Sequence, residues 1–171
     1  AVNSLRVATR TFPEYGGPGS PRLLLARLLH ASGDHRGALA EIAAVTGGSE
    51  TAWEANLLEA EWQATAGDSA AAIEALGRAA MIVPGNVEVW KRMAELAATA
   101  CRWSDAVTAR RAVMGLGPAD PIAARTDLAE ALLGTGDSEA ARRELLAALE
   151  NAPGYERAQE LLLRAREGGR P

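Results

Sequence analysis

Three Gly-Asp pairs and one substitute recur at an almost fixed interval along this chain. Gly33-Asp34, Gly67-Asp68, Cys101-Arg102 and Gly136-Asp137 follow one another at steps of 34, 34 and 35 residues. A period of this size restricts the chain to stacked supersecondary units, because one such unit cannot bury its apolar face alone and must pack on its neighbours. The side chains around each joint repeat as well. Alanine stands seven residues before every joint (Ala26, Ala60, Ala94, Ala129) and five residues after it (Ala38, Ala72, Ala106, Ala141). About one residue in five is alanine, far too few for eight coincidences in eight positions. The spacing predicts two helices per unit that cross at these alanines, where a small side chain lets the backbones approach to roughly 8–10 Å. Seventeen residues after the joints stand Glu50, Pro84, Pro118 and Pro153. Proline lacks an N–H and clashes with the preceding turn, so it predicts the end of the second helix in three of the four units.

The stretch from Val87 to Pro121 is the clearest copy. Its pattern is Trp90, Met93 and Ala94 in the first helix, then Trp103, Ala106, Val107, Val113 and Pro118. That pattern resembles the tetratricopeptide repeat (TPR), and the resemblance runs from Ser20 to Tyr155 as four units. It implies an all-α fold, a right-handed α-α superhelix (solenoid) of helix-turn-helix repeats with flanking capping helices. The expected divisions are 1–19 as an N-terminal half-repeat or capping helix with its connector, repeats at 20–52, 53–86, 87–121 and 122–155, and a capping helix with a frayed tail at 156–171, Gly168 to Pro171 being the frayed part. There are departures. Glu59 and Gln63 stand where large apolar residues are usual, Arg110 replaces an aromatic or leucine, and the first unit ends in 46–50 without proline. Helix register in the second unit therefore stays open by one residue.

Smaller signals fill in the units. Leu5, Ala8 and Phe12 share one helical face and Pro13 follows them. That segment reads either as the second helix of a hairpin whose first helix is absent or as an N-terminal cap. Ser20-Pro21 predicts a helix start, serine as N-cap and proline at the first helical position, and Asp120-Pro121 repeats the device. Trp53 and Trp62 read as core or inter-unit packing residues, the alternative being that either forms a ligand pocket.

Composition excludes several function classes. With 48% apolar and 23% charged residues the chain is long enough for a packed domain, and its formal net charge of −4 comes without a lysine or arginine block. Neither nucleic acid nor an anionic membrane surface is an expected partner. No apolar run approaches the roughly 18–20 residues that span a bilayer. One cysteine makes no internal disulfide. The compartment stays open between cytoplasm and periplasm for a chain expected to be soluble. It begins at Ala1 without a visible leader, and a fragment or processed product is expected.

No catalytic constellation emerges. His30 and His35 are five apart across the first joint, so they do not share a helix face as metal ligands at four-residue spacing would. Cys101 has no histidine nearby in sequence and reads as a small, partly buried thiol. Gly16 to Ser20 lacks the Gly-Lys-Ser/Thr of a phosphate loop. The expectation is a non-enzymatic chain with no metal site and no cofactor.

The resemblance implies that first helices line a concave face that binds extended peptides or partner helices. Six residues before the joints stand Arg27, Glu61, Glu95 and Glu130, and thirteen before them Ser20, Glu54, Glu88 and Ala123, with Lys91 as a local exception. The expectation is an acidic groove preferring a basic or mixed-charge partner segment, steered in at low salt. The competing reading is a solubilising face with no ligand. Some TPR proteins clamp a chaperone's C-terminal carboxylate, but here the clamp positions hold Leu23, Arg27, Leu58, Glu88 and Arg92, of which only Arg92 fits. Thr11 to Ser20 and Leu149 to Leu163 are also similar, less specifically, to repeat tails of larger bacterial proteins, including metallopeptidase-like ones. That likeness implies a non-catalytic accessory domain, since no His-Glu-x-x-His occurs. A further alternative is a homo-oligomeric scaffold built by stacking a terminal face on a second copy.

Overall fold

The computed structural model describes residues 2–11, 19–47 and 52–167, and these contain ten α-helices and no strand. They are α1 (Val2–Thr11), α2 (Pro21–Ala31), α3 (His35–Thr46), α4 (Trp53–Thr65), α5 (Ser69–Ile82), α6 (Val87–Thr99), α7 (Trp103–Gly115), α8 (Pro121–Gly134), α9 (Ser138–Asn151) and α10 (Glu156–Glu167). Hairpins form from α2 with α3, α4 with α5, α6 with α7 and α8 with α9. The chain divides into two compact units, Ala1–Pro84 with α1 to α5 and Gly85–Pro171 with α6 to α10. Phe12 and Pro13, the expected connector through Pro18, residues 48–51 and the expected frayed tail 168–171 lie outside the described residues.

The joints explain why Gly-Asp is the repeating signal. Gly33, Gly67 and Gly136 have φ of 87°, 85° and 83°, the left-handed region that glycine enters without a Cβ penalty. That reversal lets the next amide reach back over the helix end: the N–H of Asp34 donates to the Leu29 carbonyl and that of Asp137 to the Leu132 carbonyl, both at 2.9 Å. The same aspartate then starts the following helix. Asp34 Oδ1 accepts from the Gly37 amide at 2.9 Å, and Asp68 and Asp137 accept from Ala71 and Ala140 at 3.0 Å. Two residues thus stop one helix and cap the next.

The third joint keeps the geometry with poorer chemistry. Cys101 adopts φ 55°, and the Arg102 side chain makes no cap hydrogen bond to α7, pairing instead with Asp105 at 2.6 Å. The thiol is exposed, which corrects the expectation of a partly buried one. The reason is local: at each of the three glycine joints an added Cβ would meet nothing within 4 Å, so a side chain here projects into solvent. Replacing the pair by C101G/R102N is expected to raise stability by about 1–2 kcal/mol, through relief of left-handed strain and a gained cap. Asparagine avoids a second carboxylate beside Asp105. Urea denaturation checks this, and an unchanged midpoint contradicts it.

All eight period alanines are buried, none more than 1% exposed. The ninth residue after each glycine joint is also buried: Ile42, Leu76 and Leu145 are all 0% exposed. In the second repeat Ala60 and Ala72 both sit in the core, which fixes the register the sequence left open. Glu59, polar where an apolar residue was expected, holds Arg78 of the partner helix at 2.7 Å, and Asn56 Oδ1 accepts from the same guanidinium at 2.7 Å. Equivalent clips join Arg22 to Glu41 at 2.9 Å and Arg125 to Glu144 at 2.7 Å.

Helix starts follow the sequence in part. Asp120 caps α8 by accepting from Ile122 and Ala123, and Asn86 does so for α6. Ser20 stands at the N-cap position of α2, but its side chain makes no cap hydrogen bond and the residue is fully buried. In α1, Val2 and Leu5 pack against the unit 1 core.

Candidate interaction surfaces

The residues expected to line a groove are mostly engaged in ion pairs. In unit 1, Arg27 of α2 donates to Glu54 of α4. In unit 2, Arg157 of α10 donates to Glu130 and Asp127 of α8, both at 2.6 Å. Arg27–Glu54 and Glu130–Arg157 are each 27 residues apart, so one inter-repeat contact is made twice with the signs exchanged. Glu88 pairs with Lys91 at 2.9 Å along α6. Glu61 and Glu95 are exposed and make no ion pair among the described residues. Counting charges along one face therefore overstated the free acid, because Glu54 is held by Arg27 of the preceding repeat, Glu88 by Lys91 of its own helix and Glu130 by Arg157 of the helix that follows its repeat. Arg157 in particular sits in the capping helix, outside the four counted repeats.

Partial burial works against the charge on Arg157, yet its hydrogen bonds to Asp127 and Glu130 outweigh that effect and raise its pKa above the ordinary arginine value. Asp127 also accepts Arg110 of α7 at 2.9 Å. Arg110 occupies the ninth position after its joint, where the other repeats bury Ile42, Leu76 and Leu145. A recess of about 350 Å³ opens there, with Lys91, Glu95, Arg110 and Asp127 at its rim and Val113 and Ala124 among its apolar walls. The recess thus gathers two of the residues singled out from sequence, Lys91 and Glu95. Glu130 stays with Arg157, and Arg27, Glu54 and Glu61 belong to unit 1. Asp127 and Arg157 were missed; the 27-residue offset between charges of opposite sign is the signal that finds Arg157, and Asp127, 30 residues from Arg157, has no such mark.

Unit 1 has a separate pocket. His30 and His35, read from sequence as lying on different faces, come together because the chain reverses between them, and their ring centroids are 4.7 Å apart. The His30 ring also stacks on Trp62. No group of three or more His, Cys, Asp or Glu side chains able to hold a metal ion occurs among the described residues, and no described helix is long and apolar enough to cross a membrane.

Solved structures of low sequence identity share the helical-hairpin fold. MamA superposes with a TM-score of 0.58 and 19% identity, over 88% of this chain and 80% of that one. YrrB, a TPR protein with an unusual peptide-binding site, gives 0.56 and 17% over 99% and 94%. A tetratricopeptide repeat protein from Parabacteroides merdae gives 0.57 and 15% over 98% and 65%. The chain has the tetratricopeptide-repeat fold. The TPR likeness extends to a segment of a larger assembly, the Naa15/Naa10 complex bound to HypK, with a TM-score of 0.73 and 18% identity over 88% of this chain and 22% of that one. No family model matches the sequence and no curated protein matches it. Two of the departures from the TPR pattern have a charged partner here, Glu59 with Arg78 and Arg110 with Asp127.

Proposed function

We propose that this chain is a non-enzymatic protein-interaction module that holds an extended, mixed-charge segment of a partner protein in the recess of unit 2. The observation that carries this reading is Arg110. Three other repeats place a fully buried aliphatic at its position, and exchanging a partly buried ion pair for a packed leucine is commonly neutral or stabilising. Stability therefore does not explain an arginine there. A local rule broken beside a cavity is the expected mark of a binding site. The recess supplies apolar walls for one side chain, Lys91 and Arg110 for an anion, and the unpaired Glu95 carboxylate for a cation. In unit 1, taken by itself, the exposed Glu61 offers a separate carboxylate to a cationic side chain. YrrB, alike over nearly its whole length, has a peptide-binding site, which supports a polypeptide ligand.

Selection from a random peptide library on the full chain is expected to return segments that pair Lys or Arg with Asp or Glu at short spacing. Their affinity is expected to fall at least tenfold in E95K and in R110L, since one charge-assisted hydrogen bond amounts to about 1.5–3 kcal/mol. Rising salt is expected to weaken binding in the same direction. Glu130 is unsuited to this test because reversing it breaks the Arg157 pair. Selected peptides that bind both variants like the original chain contradict the assignment.

A further inference from the structure

Two arginines share one carboxylate at the edge of the unit 2 recess. Arg110 of α7 lies 2.9 Å from Asp127 Oδ2, while Arg157 of α10 donates to Asp127 Oδ1 and to Glu130 Oε2, each at 2.6 Å. The cations thus hold opposite oxygens of a single side chain. The Arg110 and Asp127 side chains are only 16% and 21% exposed, whereas Arg157 and Glu130 are 43% exposed. Arg110 also stands at the rim of the recess with Lys91 and Glu95, so the network runs from the recess to the capping helix within one unit.

A carboxylate arriving at Arg110 finds the Asp127 carboxylate already beside it, and like charges set side by side oppose binding. For Arg110 to serve the newcomer, Asp127 must release it or share it. Release is strongly unfavourable if it strands a mostly buried carboxylate without a cation. Arg157 supplies the second cation. Its planar guanidinium reaches two carboxylates at once, which fixes its position, and α10 itself is anchored by the buried Ala158, Leu161 and Ala165.

We propose that Arg157 sets how tightly the recess binds an acidic side chain of the partner, by holding Asp127 while Arg110 turns to the ligand, a role that rests on the recess being the partner site. Arg157 is a positioning residue: it touches no ligand and acts through Asp127 and Arg110. Coupling of this kind is reciprocal. An acidic ligand on Arg110 leaves Asp127 to Arg157 alone and strengthens the docking of α10 on α8. The ligand's cationic side chain meets Glu95, which is no part of the network, so that half of the recognition does not depend on Arg157.

The test titrates the full chain with a capped Gly-Ser peptide carrying one lysine and one aspartate at short spacing, and with a counterpart holding asparagine for the aspartate. Binding is followed by NMR at the Val113 methyl groups that line the recess. R157Q is expected to bind the aspartate peptide at least about fivefold more weakly than the parent, the lower end of ordinary coupling between sites, and to bind the asparagine peptide unchanged. D127N removes the carboxylate through which Arg157 acts, so in that background R157Q is expected to cause no further loss. Saturating aspartate peptide is expected to slow amide hydrogen exchange in α10, and the asparagine peptide to leave it as it was. R142Q deletes a cation that pairs with Glu139 instead and is expected to bind like the parent. Should R157Q release α10, R157K keeps the charge without the planar fork and is expected to show a smaller loss confined to the aspartate peptide. Equal losses for the two peptides, or parent-like affinity in both R157Q and R157K, overturn the coupling and leave the recess as the partner site. A parent chain that binds neither peptide overturns the recess reading itself, and this inference with it.

Discussion

Leu145→Ala is expected to lower the stability of the chain by about 2–5 kcal/mol, the range for truncating a fully buried leucine when its surroundings relax only in part. Leu145 is 0% exposed, and among the described residues the fully buried large aliphatics are Leu25, Ile42, Ile73, Leu76 and Leu145. Much of the remaining interior is alanine, which adds little apolar area per residue, so each large aliphatic carries a correspondingly large share of the burial. The neighbouring Leu146 is 45% exposed, and L146A is expected to change stability by no more than about 0.5 kcal/mol beyond its lost surface contacts. Urea unfolding followed by far-ultraviolet circular dichroism compares the two. A loss below about 1 kcal/mol in L145A, where truncation normally costs several times more, contradicts the placement of α9.

Ala94→Leu and Ala106→Leu are each expected to destabilise by about 1–3 kcal/mol, for the opposite reason. Both alanines are buried, at 0% and 1% exposure, on the two helices of one hairpin. Three extra carbons have nowhere to go where two backbones pass this closely, and relief requires off-rotamer side chains or a shifted helix. Both substitutions strain one hairpin, so the double variant is expected to cost less than the sum of the singles. A strictly additive double variant would show that the two positions do not share a crossing.

Most of the hairpin geometry was legible in the sequence because each of its determinants acts within a few residues. A left-handed glycine, a capping aspartate and a small residue two turns away leave marks at fixed offsets, and the fixed period superimposes four copies of them. What was not legible depends on contacts between repeats. Arg157 neutralises Glu130 from 27 positions away, and that offset becomes visible only when it is set beside Arg27–Glu54. The acidic row consequently shrank to Glu61 and Glu95. His30 and His35 were placed on separate faces by helical periodicity, which stops applying at the joint that lies between them. The exposure of Cys101 was missed for a related reason: a left-handed backbone turns its Cβ outward, whatever the residue's apolar preference. Asn86 as the cap of α6 is local chemistry that the family pattern leaves unmarked, and the pairing of Glu59 with Arg78 spans 19 residues between the two helices of one hairpin.

The fold depends on the eight alanines being the places where paired helices touch. The measurement that tests this most directly is a thermal-unfolding scan with leucine placed one at a time at 26, 38, 60, 72, 94, 106, 129 and 141. The controls are leucine at the exposed helical alanines Ala40, Ala43, Ala44 and Ala70. The predicted result is a lowered midpoint at all eight period positions, with the four controls within about 0.5 kcal/mol of the parent chain, as is usual for surface substitutions. Period positions that tolerate leucine as well as the controls would contradict it.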